Sequence, residues 1–346
     1  WVLIGYTLAF GPSVSHVIGG PAFAFLNGIT PHDLRGSIPT YTFVMFQGMF
    51  AIITPALISG ALAERIKFSA YVVFILLWAT LVYDPIAHWV WGAGGWLGSL
   101  GVLDFAGGTV VHLSSGMSAL ATICVLGRRQ GYLTEKIVPH NLGLTLLGAG
   151  LLWFGWFGFN AGSALASNGN ASVAFTATHV ASAAGALSWM LSEWIHRKKP
   201  SALGAASGIV AGLVAITPAA GYVSPMSALV IGLIAGLVCY SAVYLKVGIG
   251  YDDSLDVFGI HGVGGMLGAL ATGLFATVNA SGALAGNWHQ FHLQCVAVAF
   301  AGAYAFGATY LIALALDATL GLRVDEEAEM AGLDQTQHGE AGYNLH

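Results

Sequence analysis

An all-α fold that crosses a membrane many times is predicted by three observations. Of 346 residues, 56% are apolar and only 8% are charged. The mean hydropathy is +0.76. Apolar runs also recur along the whole chain, for example over 71–82, 205–216 and 296–316. A water-soluble domain carries about 25% charged residues, so this chain cannot assemble an aqueous surface. With their weakly polar flanks, the runs approach or exceed the roughly 20 residues that span a bilayer core. The short alternating strands of a membrane β-barrel are absent. The net charge of −5 comes with no basic patch, which removes nucleic acid as a partner and leaves lipid. Cys124, Cys239 and Cys295 stand alone in apolar runs. Their spacing fits no metal site, and they read as small core residues.

Hydropathy and turn signals then place the elements in order. A partial helix over 1–11 comes first. Further helices follow near 38–62, 69–91, 107–127, 141–163, 172–195, 202–217, 226–246, 256–277 and 291–318, with a polar tail after them. The basic residues test this division. Arg65 and Lys67, then Arg128, Arg129 and Lys136, then Arg197, Lys198 and Lys199, then Lys246, and finally Arg323 fall in alternate connections or the tail. Arg35 alone falls on the other side. The positive-inside rule makes those connections and the C-terminus cytoplasmic. The opening Trp1-Val2-Leu3-Ile4 has no initiator Met and no charged n-region. It reads as the second half of a membrane helix whose start is missing, not as a signal peptide.

Two distant stretches carry the same polar constellation. Asp104 precedes His112 by the same interval that separates Asp253 from His261, and the shift relating them also places Gly116 on Gly265 and Met117 on Met266. A shift shared by polar and apolar positions indicates an internal repeat. By the topology above, the helix of His112 runs inward and that of His261 runs outward. The copies are therefore inverted, an arrangement that places a substrate site near the midplane. Ionisable side chains at that depth are costly and mark a pathway. Of the 48 glycines, stripes such as Gly204, Gly208 and Gly212, and Gly232 with Gly236, read as helix-packing faces.

Several segments are also familiar as a set. They are Ala61-Leu-Ala-Glu-Arg-Ile66, Asp104-Phe-Ala-Gly-Gly-Thr-Val-Val-His112, Gly155-Trp-Phe-Gly-Phe-Asn-Ala-Gly-Ser163 and Asp256-Val-Phe-Gly-Ile-His-Gly262. Thr217-Pro218 with Gly221-Tyr222, Gly321-Leu-Arg-Val324 and His338-Gly-Glu340 join them. Together they resemble the ammonium transporter (Amt/Rh) family, on its Amt branch, across essentially the whole chain. The resemblance implies an inverted-repeat fold of about eleven membrane helices in a full chain, the first absent here and the second partial. It divides the chain into a transmembrane domain over 1–318 and a cytoplasmic regulatory tail over 319–346. It also implies a homotrimer in the cell membrane with one pore per subunit, regulated in some members by a PII-type protein at the cytoplasmic face, and no cofactor.

Residue by residue, the resemblance makes Phe46, Trp91 and Ser163 an outer ammonium-recruiting site. It makes Phe50 and Phe159 a gate below that site, His112 and His261 the paired imidazoles of an apolar conduit and proton relay, and Asp104 a structural support. Taken alone, each has a plainer reading. Either phenylalanine would be core packing, Trp91 an interfacial belt residue, and Asp104, Asp253 or Asp256 a helix cap. Asp84, before Pro85, departs from the family pattern. It reads as an outer-end turn residue, with a vestibule carboxylate that concentrates cations as the alternative. An ammonium sensor with little flux is the other functional reading. Enzyme chemistry lacks any cofactor motif or activated nucleophile, and two histidines alone are too few ligands for a metal channel.

Overall fold

A computed structural model describes residues 1–135 and 138–343; Lys136, one of the basic residues used for topology, lies outside the described residues. Seven helices among the described residues are long and apolar enough to cross a membrane. They are Thr40–Leu62, Phe68–Leu100, Gly108–Leu126, Leu142–Ala161, Pro225–Ile249, Phe258–Phe275 and Trp288–Thr319. The more polar Gly169–Arg197 and the shorter Ala202–Ile216 complete the bundle. The expected helices are present, with ends displaced by a few residues. Their starts are set by local chemistry. Asn141, Asn168, Ser201, Ser224 and Asn287 each accept a backbone N–H from the first turn that follows, which satisfies groups a helix start otherwise leaves open.

The glycine stripes pack as expected. A β-carbon on Gly212 or Gly232 would lie 2.3 Å from the Ala181 carbonyl oxygen, and one on Gly208 or Gly236 would lie 2.6 or 2.4 Å from that of Gly185. Helices 202–216 and 225–249 thus close onto helix 169–197 through backbone contact, where apolar surface gives little drive for association in lipid.

Four π-helical turns belong to the membrane spans: Ala79–Tyr83 lies inside Phe68–Leu100, while Gly108–Leu113 and Phe258–Gly262 open their helices and Phe157–Ala161 closes its own. Such widened turns are rare and concentrate at functional positions. Three of them carry His112, Phe159 and His261. The fourth corrects the reading of Asp84. This residue is not in a turn: the chain passes from the π-helical turn directly into helix Asp84–Trp91, and Asp84 is buried beside Gly5. Pro85 has no N–H to give the Leu81 carbonyl four residues before it, and the Tyr304 hydroxyl donates there instead at 2.7 Å, so the continuous span accommodates a proline. A second correction concerns cysteine: Cys239 is buried, but Cys124 is exposed and Cys295 intermediate, since their helices present those positions outward.

The basic residues gather at one end of the bundle. Arg129 holds Asp252 through Nε and Nη2 at 2.9 and 2.8 Å and reaches Glu64 at 2.5 Å. Arg65, fully buried, donates to the Asp252 carbonyl, and Lys246 pairs with Asp256. The tail joins this cluster. Arg323 pairs with Glu329, whose carboxylate accepts the Gln130 N–H at 2.7 Å. Further on, His338 packs on Phe68, and the Asn141 side chain donates to the Tyr343 hydroxyl. A segment that composition alone marks as acidic and disordered is therefore packed against the connections. Burial lowers Arg65 to about 10, with Asp252 opposing. Burial would raise Asp252, but hydrogen bonds from Arg129 and the charges of Arg65 and Arg129 outweigh it and hold the carboxyl below its ordinary range.

Candidate functional site

The paired imidazoles meet. His112 Nδ1 and His261 Nδ1 are 3.1 Å apart, and both rings are buried. The surrounding backbone explains how they come so close. A β-carbon on Gly265 would lie 2.7 Å from the Leu113 nitrogen and 2.8 Å from the Gly108 oxygen. One on Gly116 would lie 2.2 Å from Gly262. Each repeat-related glycine therefore seats the π-helical turn of the other repeat.

Aromatic rings lead from this pair toward the end remote from the basic cluster. His112 lies 17° from parallel with Trp156 and 18° from parallel with Phe159, at centroid distances of 5.4 and 5.9 Å. Phe159 meets Phe50 at 4.6 Å, and Phe50 meets Trp91 edge-on at 5.6 Å and Phe46 at 4.9 Å. Phe46 also packs on Gly162, the neighbour of Ser163. The Ser163 hydroxyl donates to the Phe159 carbonyl at 2.8 Å. That uses its one proton and leaves its lone pairs to accept. Trp91 ends helix Asp84–Trp91, which continues the span that starts at Phe68 just after Lys67, so it lies at the opposite end from the cluster of Arg65, Arg129 and Arg323.

Asp104 is a cap of unusual completeness. Oδ1 accepts the N–H groups of Gly107 and Gly108 at 2.8 and 2.7 Å, and Oδ2 those of Thr109 and Val110 at 2.8 and 3.0 Å. One carboxylate thus satisfies all four open donors at the start of the His112 turn. The Asp104 carbonyl meanwhile accepts the Trp91 indole N–H at 2.8 Å. Asp104 therefore links Trp91 to His112 without lining the ring stack. Gly107 at φ +115 makes the tight approach possible. The repeat is imperfect here. Asp253 accepts only the Phe258 N–H from the corresponding turn, and its other oxygen has no partner among the described residues. Asp256 instead sits at φ +62 and pairs with Lys246.

Trp156 has a role that its segment, Gly155 to Ser163, does not disclose in sequence. The Trp156 indole N–H donates to Thr217 at 2.9 Å, which fixes the plane on which His112 stacks. Pro218 then accepts the Phe105 N–H at 3.1 Å and fills the space beside Gly108. The Thr217-Pro218 motif is thus a buttress for the Asp104 segment.

Comparison with known proteins agrees with the geometry. The sequence pattern of the Ammonium Transporter Family matches residues 1–343. The ammonium transporter of Bacillus subtilis is 53% identical over 351 residues, an alignment covering 99% of this chain and 86% of that protein. Ammonium transporter Amt1 of Archaeoglobus fulgidus is 48% identical, covering 99% and 86%. Among solved structures, Saccharomyces cerevisiae Mep2 superimposes with a TM-score of 0.89 at 39% identity, covering 94% of this chain and 77% of that one. A structure described as a sensor Amt protein gives 0.90 at 33%, covering 97% and 85%. A bundle of membrane helices whose inverted halves meet at paired imidazoles, matched over nearly its full length by these relatives, belongs to the Ammonium Transporter Family, whose members carry ammonium across membranes and are not enzymes.

Proposed function

We propose that this protein takes ammonium at Trp91, Phe46 and Ser163, gates it at Phe50 and Phe159, and passes it as ammonia past His112 and His261. The continuous run of rings from Trp91 to His261 is the observation that carries this reading. A small cation over an aromatic face gains about 0.5–2 kcal/mol, and the free lone pairs of Ser163 suit an N–H donor. Phe50 and Phe159 touch, so passage requires the rings to part.

Beyond the gate the path is apolar, and a cation that keeps its charge there faces a cost of several kcal/mol. Ammonium can shed a proton; potassium, similar in size, cannot. The 3.1 Å Nδ1–Nδ1 contact requires one ring to donate and the other to accept. The two Nε2 atoms then have opposite roles, one an acceptor and one a donor. A proton leaving ammonium is taken by the accepting Nε2, the bridging Nδ1 proton moves to the second ring, and that ring releases its Nε2 proton. Charge and ammonia travel separately, and the tautomers end exchanged. His112 Nε2 is buried and bonds no other group among the described residues.

In this reading the molecule is a homotrimer in the cell membrane, with the basic end and the tail cytoplasmic and available to a PII-type regulator. Transport is preferred to sensing, because the curated relatives at 44–53% identity are ammonium transporters. Ammonium-evoked current in proteoliposomes containing the purified protein tests it; a protein that binds ammonium but gives no current or uptake would be a sensor.

A further inference from the structure

Gln294 projects from helix Trp288–Thr319 and is fully buried. A buried primary amide has two donors and two acceptor lone pairs to satisfy. Here all four are used. Oε1 accepts the Leu103 N–H at 2.9 Å and the Gln290 side-chain N–H at 3.3 Å. Nε2 donates to the Leu103 carbonyl at 2.7 Å and to the Ala269 carbonyl at 3.1 Å. Gln290 also donates to the Gly101 carbonyl at 3.0 Å, at the left-handed turn that opens this loop. Gly273 leaves room for the arrangement, since a β-carbon there would lie 2.9 Å from the Gln294 Cγ.

Leu103 is an apolar loop residue with both backbone polar groups clamped by one side chain, and Asp104 is the next residue. The same amide holds Ala269, on the helix that continues from His261. Gln294 therefore sets the distance between the second repeat and the segment that joins Trp91 to the first. We infer that Gln294 is a positioning residue for the ammonium-recruiting site, acting through the Leu103–Asp104 backbone on the Trp91 indole. Its hydrogen bonds go to Leu103, Gln290 and Ala269 and to no ring or imidazole. The four N–H groups bound by Asp104 hold the His112 turn separately, so its effect falls mainly on substrate capture. The inference rests on the proposed role of Trp91.

The test measures concentration-dependent ammonium transport by the purified protein in proteoliposomes, for Gln294→Glu, Gln294→Met, Gln290→Met and Trp91→Phe, and for Gln294→Glu combined with Trp91→Phe. Gln294→Glu keeps shape and acceptors but loses both donors. Gln290→Met removes only the support and is the mildest change. We expect Gln294→Glu or Gln294→Met to raise half-saturation about three- to tenfold with the maximal rate within about twofold, and Gln290→Met to shift it less. Trp91→Phe removes the indole N–H that Asp104 accepts, so Gln294→Glu should add little in that background. A shift in Trp91→Phe without any in the Gln294 and Gln290 variants overturns the positioning role alone. So does full additivity, or a fall in maximal rate at unchanged half-saturation. No shift in Trp91→Phe, which keeps an aromatic face and loses only the indole N–H, overturns the positioning role alone; no shift in Trp91→Leu, run beside it, overturns the recruiting site and this inference with it.

Discussion

Gly116 packs directly on Gly262, so closely that a β-carbon on Gly116 would lie 2.2 Å from both the Cα and the nitrogen of its neighbour. No side-chain rotation relieves a clash with backbone. Gly116→Ala should therefore force the His112 and His261 turns apart, with an overpacking cost of about 1–3 kcal/mol. The expected result is lower thermal stability in detergent together with loss of transport. Wild-type transport from a well-folded variant would show that the 3.1 Å imidazole contact is not needed.

Replacing Trp91 with Leu should weaken capture of the cation. Losing a cation–π contact of about 0.5–2 kcal/mol corresponds to a half-saturation raised roughly two- to thirtyfold. Discrimination between ammonium and methylammonium should fall as well. Transport assays over a range of concentrations of each substrate check it, and unchanged values for both remove Trp91 from the site.

His112→Glu places a carboxylate in a path that otherwise offers only neutral groups. Such a group offsets part of the dehydration penalty that bars intact cations. The variant should pass potassium, or ammonium as a whole ion, while folding normally. Potassium flux measured beside ammonium flux decides it, with His261→Glu run in parallel. Retained wild-type selectivity in both folded variants would place the imidazoles outside the conduit.

The Arg129–Asp252 pair at the basic end predicts an acid limit. The Asp252 carboxyl is held below its ordinary range, so its contribution is complete above the unfolded value of about 3.9. As pH falls through the still lower folded value, that contribution is lost. Thermal stability should be flat for this group at neutral pH and decline below about pH 4, and Asp252→Asn should remove that part of the decline. Arg129→Ala leaves Asp252 buried without its main partner and should cost about 3–5 kcal/mol at neutral pH. A loss under about 1 kcal/mol would mean that the pair behaves as an exposed one.

The tail offers a fifth test. Leu322 and Val324 are buried, and the Val324 N–H donates to the Arg65 carbonyl at 3.0 Å. Truncation after Val324 keeps those contacts and removes Glu329 from Gln130 and His338 from Phe68. Transport or its regulation should change while detergent sizing of the assembly stays the same. A smaller particle would make the tail an assembly element.

Much of this was legible in the sequence because the repeat is written in residues that only a repeat explains. The shared spacing of Asp104 with His112 and Asp253 with His261 pointed to an inverted repeat with one imidazole from each half, and it set Gly116 on Gly265 without showing that these are where the halves touch. What the sequence could not carry was the division of labour within the repeat. Asp104 and Asp253 look equivalent, yet one satisfies four backbone donors and the other a single one. Asp84 beside Pro85 looks like a turn because the π-helical turn that feeds its helix leaves no compositional trace. Gln294 stayed unassigned because its four partners are mainly backbone atoms, distant in sequence and silent about residue type.

The placement of His112, Phe159 and His261 on widened turns has a consequence for how this chain can change. Each residue removed from a helix rotates everything beyond it by about 100°. Shortening one of these turns to ordinary α register would keep the helix and its packing length nearly intact, yet swing an imidazole or the Phe159 ring off the axis of the ring stack. In these three places the spacing of the chain is set by where a side chain must point, and a single-residue deletion would be harsher than most substitutions.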